Sequence, residues 1–406
     1  MARLAARRLL LALLALALLA TLVVRSEGKT ALPVVTITAP SLTDWADKED
    51  VRQATLTYED GEAGLRFTQP ITIHIQGATS SHKDKKNFTV KLEKKLELRK
   101  GWGAHRKYCL KANYIDPTHA VNIVSARLAA QMQRQYALFD RAPNAGQVDG
   151  FPVWLVLNGE PAGLYTWNIP KDEWLLGMDE DNPNHIAMFG KSWVNCIFFG
   201  TEKNNYKRGW IFKVGEKNRE NKEKFMRLYQ FVRTAPDETF RADFDQYLDL
   251  DACLNYYCFI CVAYAADNLA KNMLLATYDG VHWAPCLYDL DSLWGISWNG
   301  EGLWADDGLR IEDVINVQGL LGRIRDCFPD EVRARYAELR RYPLSRENIR
   351  AEFERFRAEI PQAYYDMDRA LWYADGTNIR TYERTYSLLD EYLPTVDAAF
   401  GYTEEQ

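Results

Sequence analysis

The sequence predicts an α+β protein in two lobes, β-rich in its N-terminal part and mainly helical in its C-terminal part. Three observations carry that reading. Residues 33–100 alternate or run β-branched, as in "PVVTITA" and "ITIHIQG". After residue 310, "RIEDVINVQGLLGRI", "DEVRARYAELRRY" and "RENIRAEFERFRAEI" place apolar residues at helical spacing. Between these regions, about 246–266 is apolar on nearly every side, as a buried helix is. The boundaries follow: 1–28 as a leader, 29–167 as the β-rich lobe and 168–406 as the helical lobe.

The elements are justified in order. Arg3, Arg7 and Arg8 precede a run, Leu9 to Val24, that is apolar except for Thr21. This is the pattern of a signal peptide or signal anchor, and both remain open. Either places the remaining chain outside the cytoplasm, secreted or membrane-anchored. "NFTVKLEKKLEL" adds a strand with charged outer positions, and residues 83–111 hold eleven basic side chains against three acidic ones. Asp116-Pro117 reads as an N-cap and first helical position, with Val121, Val124, Leu128 and Met132 forming one apolar face. "PVWLVLNGEPAGLYTW" is a hairpin turning at Asn-Gly. Residues 178–225, polar and rich in Gly and Asn, are either a substrate-binding insertion or a surface excursion. "NMLLATY" and "VHWAPCLY" flank Asp279-Gly280 and read as a second hairpin, at 273–288.

Composition excludes several classes. The 406 residues are 47% hydrophobic and 13% aromatic, which suits a folded core rather than a disordered chain. A net charge of −6 gives no global sign of a nucleic-acid partner. Seven cysteines show no paired metal spacing, and Cys258 and Cys261 lie in apolar company that suits buried thiols better than a redox pair. The six histidines are scattered without ligand spacing, which argues against zinc. There is no G-x-S-x-G nucleophile signature.

The chemistry concentrates around "ADNLAKNMLL" (265–274). Asp267 and Asn272 stand five apart between the buried helix and the second hairpin, and Asp289 and Asp291 follow that hairpin. A two-residue turn at Asp279-Gly280 sets Tyr278 opposite Val281 and Asn272 opposite Leu287. Asn272 and Asp289 then point to the same side as diagonal neighbours, roughly 7–8 Å apart at the backbone. An amide oxygen and carboxylates suit Mg²⁺, which takes oxygen ligands and shares them with substrate phosphates. Asp267 is placed to orient or deprotonate an acceptor hydroxyl. Buried helix, Asp-x4-Asn loop, hairpin and metal-binding Asp is the layout of protein kinases. Each short motif alone is weak; the ordered set is more specific.

Four blocks together resemble the spore coat protein CotH kinase-like family: "ITIHIQGATSSHKDKKNFTVKL", "YCLKANYIDPTHAVNIVSARL", "VWLVLNGEPAGLYTW" and "CLYDLDSLWG", in the family's order over about residues 71–295. The resemblance implies a protein-kinase-like fold and transfer of phosphate from ATP, with Mg²⁺ or Mn²⁺, to protein Ser/Thr at the cell or spore surface. It implies Asp267 as the catalytic-loop Asp, Asn272 and Asp289 as metal ligands, and Asp291 as an accessory ligand. Lys91 is the candidate phosphate-contacting lysine, with Lys86 as its rival. Gly77 and the Ser80-Ser81 turn are candidates to cover phosphates, although "IQGATSS" is not G-x-G-x-x-G. Lys111 is either a structural or a nucleotide-contacting lysine, and Trp283 either stacks on adenine or sits in the core. Two departures stand out: Val121-Asn122 replaces the usual Arg-Asn, and the helix after Asp116 contains no Glu to pair with a kinase lysine. The alternative is therefore a non-catalytic, pseudokinase-like coat or surface protein. A carbohydrate-binding or glycoside-cleaving protein ranks last, because Asp289 and Asp291 lie on one strand rather than on two sides of a bond.

Overall fold

A computed structural model describes residues 31–77, 79–133, 139–192, 209–269, 271–374 and 376–404. The expected leader lies outside these residues. Among the described residues no helix is long and apolar enough to cross a membrane.

The protein is α+β, with strands concentrated in the N-terminal part and helices in the C-terminal part, in two compact units. The division is not a single cut after residue 167. One unit comprises 1–119, 150–169 and 355–378; the other comprises 120–149, 170–354 and 379–406.

The first unit is a closed barrel of seven strands: β1 (Val34–Thr38), β2 (Arg52–Asp60), β3 (Leu65–Gln76), β4 (Asn87–Leu96), β5 (His105–Lys111), β6 (Gly150–Leu157) and β7 (Glu160–Asn168). The strand order around it is β1-β2-β3-β4-β5-β7-β6, closed by a parallel pairing of β1 with β6. Alternation fixes the inside: Val35, Ile37, Leu56, Tyr58, Ile71, Ile73, Val90 and Leu110 are buried. Trp167 lies 5.8 Å from Tyr58 and 5.4 Å from Tyr108, ring to ring. The β6–β7 hairpin turns at Asn158-Gly159, both at positive φ, as expected of Asn-Gly. Full closure was not foreseen from the strand patterns, which show alternation but not which strands meet.

The second unit contains α1 (Val121–Gln133), α2 (Arg219–Thr234), α3 (Asp237–Ala242) and α4 (Leu250–Val262). Helices α5 (Ile311–Ile315), α6 (Leu320–Cys327), α7 (Pro329–Arg341), α8 (Arg346–Ala358), α9 (Gln362–Trp372) and α10 (Tyr382–Ala399) follow along the chain; of these, α9 and the last residues of α8, from Arg355, belong to the barrel unit. Helix α4 is the predicted buried helix. Asp249 caps it by accepting the Ala252 N–H at 2.8 Å, and every residue from Ala252 to Val262 is buried. It packs against α7 and against β11 (Ala284–Leu287), which joins β10 (Met273–Thr277), β8 (Ile186–Gly190) and β9 (Trp210–Val214) in an antiparallel sheet of order β11-β10-β8-β9. Part of the 178–225 segment is therefore sheet core rather than surface excursion; residues 193–208 lie outside the described residues.

Three local expectations are corrected. The helix expected from Asp116 begins at Val121. Asp116 instead organises a turn: its Oδ1 accepts from the Thr118 N–H and hydroxyl, and His119 takes a positive φ. The region 310–324 is two helices, because Gly319 at φ 74° separates α5 from α6. The third correction is the register of β10 with β11. Met273, not Asn272, lies opposite Leu287. Asp279-Gly280 is not a two-residue turn: the Asp279 Oδ1 accepts from the Val281 and His282 N–H groups, and the Gly280 N–H donates to the Thr277 hydroxyl. Side-chain hydrogen bonding therefore builds a longer loop and shifts the pairing by one residue.

Candidate active site

The site is built where α4 ends. After Val262 the chain leaves helical geometry, with Tyr264 at φ 46°, and a 3-10 turn, Ala266–Asn268, carries Asp267. Asn268 ties this turn in two directions. Its carbonyl accepts from the Tyr256 hydroxyl at 2.7 Å, and its Nδ2 donates to the Tyr288 carbonyl at 2.9 Å. Asp267 is 6% exposed. Its carboxylate accepts from Lys271 Nζ at 2.8 and 3.0 Å and from Asn272 Nδ2 at 2.8 Å. The Asn272 backbone N–H donates to the Gly190 carbonyl at 2.8 Å, which pins the loop to β8.

The strand end after β11 is held as firmly. The Leu290 N–H donates to the Asn122 Oδ1 at 3.0 Å, and Leu290 is buried. Asp289 and Asp291, on either side, remain half-buried. Trp294 anchors the next turn through its N–H to the Ala263 carbonyl (2.7 Å) and its ring Nε1 to the Ser125 hydroxyl (3.0 Å). The Ser292 hydroxyl donates to Asp291 at 3.0 Å. Asn272 and Asp289 both sit at positive φ, 61° and 58°, so each departs from strand geometry where β10 begins and where β11 has ended. The two residues are therefore not diagonal neighbours in a regular ladder. The Asn268 bond to Tyr288, next to Asp289, links the loop and the strand end instead.

The donor set suits a hard cation. Asn272 gives its amide N–H to Asp267, and among the described residues its Oδ1 accepts no hydrogen bond. Asp289 has no hydrogen bond or ion pair among the described residues. A half-buried carboxylate and an amide oxygen that accepts no hydrogen bond are oxygen ligands of the kind Mg²⁺ takes.

Sequence reasoning missed Asn268, and it noted Asn122 only as part of a departure from the family pattern. Both are buried polar side chains that spend their amides on backbone of the Tyr288–Leu290 strand end. The signal was an Asn beside Asp267 and another beside Val121, each among apolar residues.

Trp283 is corrected: it is buried, edge-on to Phe225 at 5.7 Å, with its backbone hydrogen-bonded to Tyr247 and Asp249. It is core, and its ring offers no face to a base. Cys258 and Cys261 are buried free thiols; burial pushes Cys258 up to about 12 and raises Cys261 as well, so neither is a ready thiolate.

The barrel unit holds the remaining candidates. Gly77, at φ 117°, is required by a tight turn: a Cβ there would lie 2.0 Å from the Ser80 hydroxyl oxygen. Lys86 Nζ donates to the carbonyls of Ser81 (3.0 Å) and Lys83 (2.5 Å). Lys91 is exposed on the outer wall, opposite Lys107. Lys111 is half-buried, opposite Thr166. Among the described residues the buried lysine of this unit is Lys85. Its Nζ donates to Asp368 Oδ1 at 2.7 Å and to the Leu164 carbonyl at 2.8 Å. Asp368, on α9, also accepts from the Leu164 N–H (2.8 Å) and from His119 Nε2 (3.0 Å). Asn113 Nδ2 donates to His119 Nδ1, which assigns the ring proton to Nε2. Burial, then the Lys85 charge, lowers His119 and keeps it neutral. Burial opposes ionisation of Asp368, but the Lys85 ammonium and the His119 hydrogen bond outweigh it and hold the carboxyl below its usual range. Thus the acid expected on the helix after Asp116 is absent there, and a buried lysine of the "KDKK" stretch is paired instead from α9.

A family model described as CotH kinase protein matches residues 73–395. No curated protein matches the chain.

Proposed function

The chain belongs to the CotH kinase family, and from that membership we propose that it is an ATP- and Mg²⁺- (or Mn²⁺-) dependent phosphotransferase acting on Ser/Thr hydroxyls of coat or surface proteins outside the cytoplasm. The observation that carries this reading is that the Asn272 Oδ1 and the Asp289 carboxylate, on two residues at positive φ, accept no hydrogen bond among the described residues, while Asn272 Nδ2 donates to Asp267. Strained backbone at polar residues with open ligand atoms supports a functional site.

In this reading Asn272 and Asp289 would hold the metal, with Asp291 close by in sequence. The bound ion supplies charge neutralisation for the phosphates. Asp267 accepts the proton of the acceptor hydroxyl at its carboxylate as that oxygen bonds to the γ-phosphorus of ATP and the bond to the ADP oxygen breaks. Lys271 and Asn272 fix the carboxylate's orientation. Asn268 and Asn122 keep the strand end in place, so that positioning does not depend on a mobile loop.

One observation favours the second reading, a non-catalytic surface protein. Asp267 is nearly buried and its carboxylate is already engaged by Lys271 and Asn272. Incubation with γ-labelled ATP and Mg²⁺ or Mn²⁺, beside Asp289→Ala, decides between them. We expect label to enter protein and the variant to lose roughly 100-fold or more of it. Undiminished transfer by Asp289→Ala would sink the metal assignment. Absence of label together with no ATP-induced rise in melting temperature would favour the scaffold; a nucleotide at about 100 times its Kd stabilises by roughly 2.7 kcal/mol.

A further inference from the structure

We infer that the barrel rim at Val34 is a membrane-facing surface, on which Lys94, Lys95, Arg99, Lys100 and Arg106 meet anionic lipid headgroups. This goes beyond the phosphotransferase reading and rests on residues 9–24 being a segment that inserts in the membrane.

Topology carries the inference. β1 begins at Val34, paired with Glu59 at the end of β2, and Glu59 pairs with Arg66 at the start of β3. The end of β4 lies beside the start of β3, since Ile71 pairs with Leu92. The β4–β5 connection therefore stands at the same rim where the chain enters the barrel. This connection is rigid. Glu97 accepts from the Gly101 N–H (2.8 Å) and the Gly103 N–H (3.3 Å), and Trp102 is buried 5.9 Å from the Phe151 ring. Arg99 lies over the same ring at 3.9 Å.

The charge is placed outward. Between Lys91 and Leu96 the pairing with β5 slips, so a bulge carries Lys94 and Lys95; Gln69 holds it by accepting the Lys94 N–H at 2.9 Å. Lys94, Lys95, Arg99, Lys100 and Arg106 are exposed, and among the described residues no ion pair joins Lys94, Lys95, Lys100 or Arg106 to a carboxylate. Acids share this rim: Glu59 is matched by Arg66 at 2.9 Å, and Glu97 is engaged by the Gly101 and Gly103 N–H groups, which leaves Glu62 and Glu93 exposed beside the five basic side chains. The whole chain is acidic, at −6, so this rim runs against the global sign. Ten residues separate Val24 from Val34 and span at most about 35 Å. A segment held in the bilayer at Val24 thus tethers Val34 within that reach of the headgroups, and the unpaired basic side chains select this rim, since they bind most strongly within a Debye length of an anionic surface.

The full chain, reconstituted in lipid nanodiscs of phosphatidylcholine with or without about one-third phosphatidylglycerol, provides the test by lysine acylation and peptide mass spectrometry. Lys48 is the internal reference. It lies in the β1–β2 connection at the opposite rim, on the order of 15 Å away along β1. We expect Lys94, Lys95 and Lys100 to react about tenfold more slowly in anionic discs than in neutral ones, with Lys48 unchanged and the protection lost in about 1 M salt. Equal rates in both discs, with the chain inserted, overturn the inference while leaving the membrane segment intact. Equivalent protection by poly-glutamate without lipid overturns it in favour of an acidic protein partner. Failure of the chain to enter either disc removes its premise and overturns it as well.

Discussion

Replacing Asp368 by alanine should be among the most damaging single changes in the barrel unit. Its carboxylate is almost fully buried and accepts from Lys85 Nζ, the Leu164 N–H and His119 Nε2 at 2.7, 2.8 and 3.0 Å. Removal leaves the Lys85 ammonium buried with only the Leu164 carbonyl as acceptor, and two further donors unpaired. Breaking a buried pair by deleting one partner costs about 3–5 kcal/mol. The orphaned donors, about 1–3 kcal/mol each, push the total toward the upper end. Against a typical stability of about 5–15 kcal/mol that is a large fraction. Urea unfolding followed by tryptophan fluorescence, with Trp154 and Trp167 buried in this unit, reads the loss directly. The double variant Lys85→Met/Asp368→Leu, which removes both charges, should cost less than Asp368→Ala alone. A loss below about 1 kcal/mol for Asp368→Ala, or a double variant worse than the single by the full cost of Lys85→Met, would refute the view that this ion pair holds α9 to the barrel.

Three further outcomes follow from the same geometry. His119 is held neutral below its usual pKa, so the unfolded chain takes up a proton that the folded one refuses; this stability is present above about pH 6.5 and declines as pH falls below it. Melting temperatures between pH 5 and 8 should show that decline flattened in His119→Gln, and an unchanged slope would remove His119 as its source. Gly163→Ala should destabilise strongly, because its Cβ would lie 2.3 Å from Asp368 Oδ1 at φ +104°, and chemical unfolding with a midpoint like the parent's would contradict the packing. Asn122→Leu frees the Leu290 N–H beside Asp289 and should lower phosphotransfer about 10–100-fold, with global stability falling by only about 1–3 kcal/mol; full activity would show that the strand end needs no such clamp.

Much of the candidate site could be proposed from sequence because its residues are close along the chain. Asp267, Asn272, Asp289 and Asp291 fall within one loop and one hairpin, and the buried helix before them announces itself by being apolar all round. The clamps that position them were harder to see. Asn122 and Asn268 act on backbone 168 and 20 residues away, and nothing local marks an amide as bound to a distant carbonyl or N–H. The register error has a similar cause. Asp279-Gly280 is a favoured two-residue turn, yet the Asp279 carboxylate captured two following N–H groups and lengthened the loop.

By itself, the sequence determined that the N-terminal part is β-rich with alternating faces, where the core helix runs, and the order of motifs that places the chain with the CotH kinases. These depend on periodicity and on neighbours along the chain. Tertiary structure alone decided that seven strands close on themselves through β1 and β6, that Trp283 belongs to the core, and that the partner of Lys85 stands 283 residues away on α9. Alternation fixes a strand's faces but not its neighbour, and a buried charge selects its partner only once the folded chain has excluded water from both.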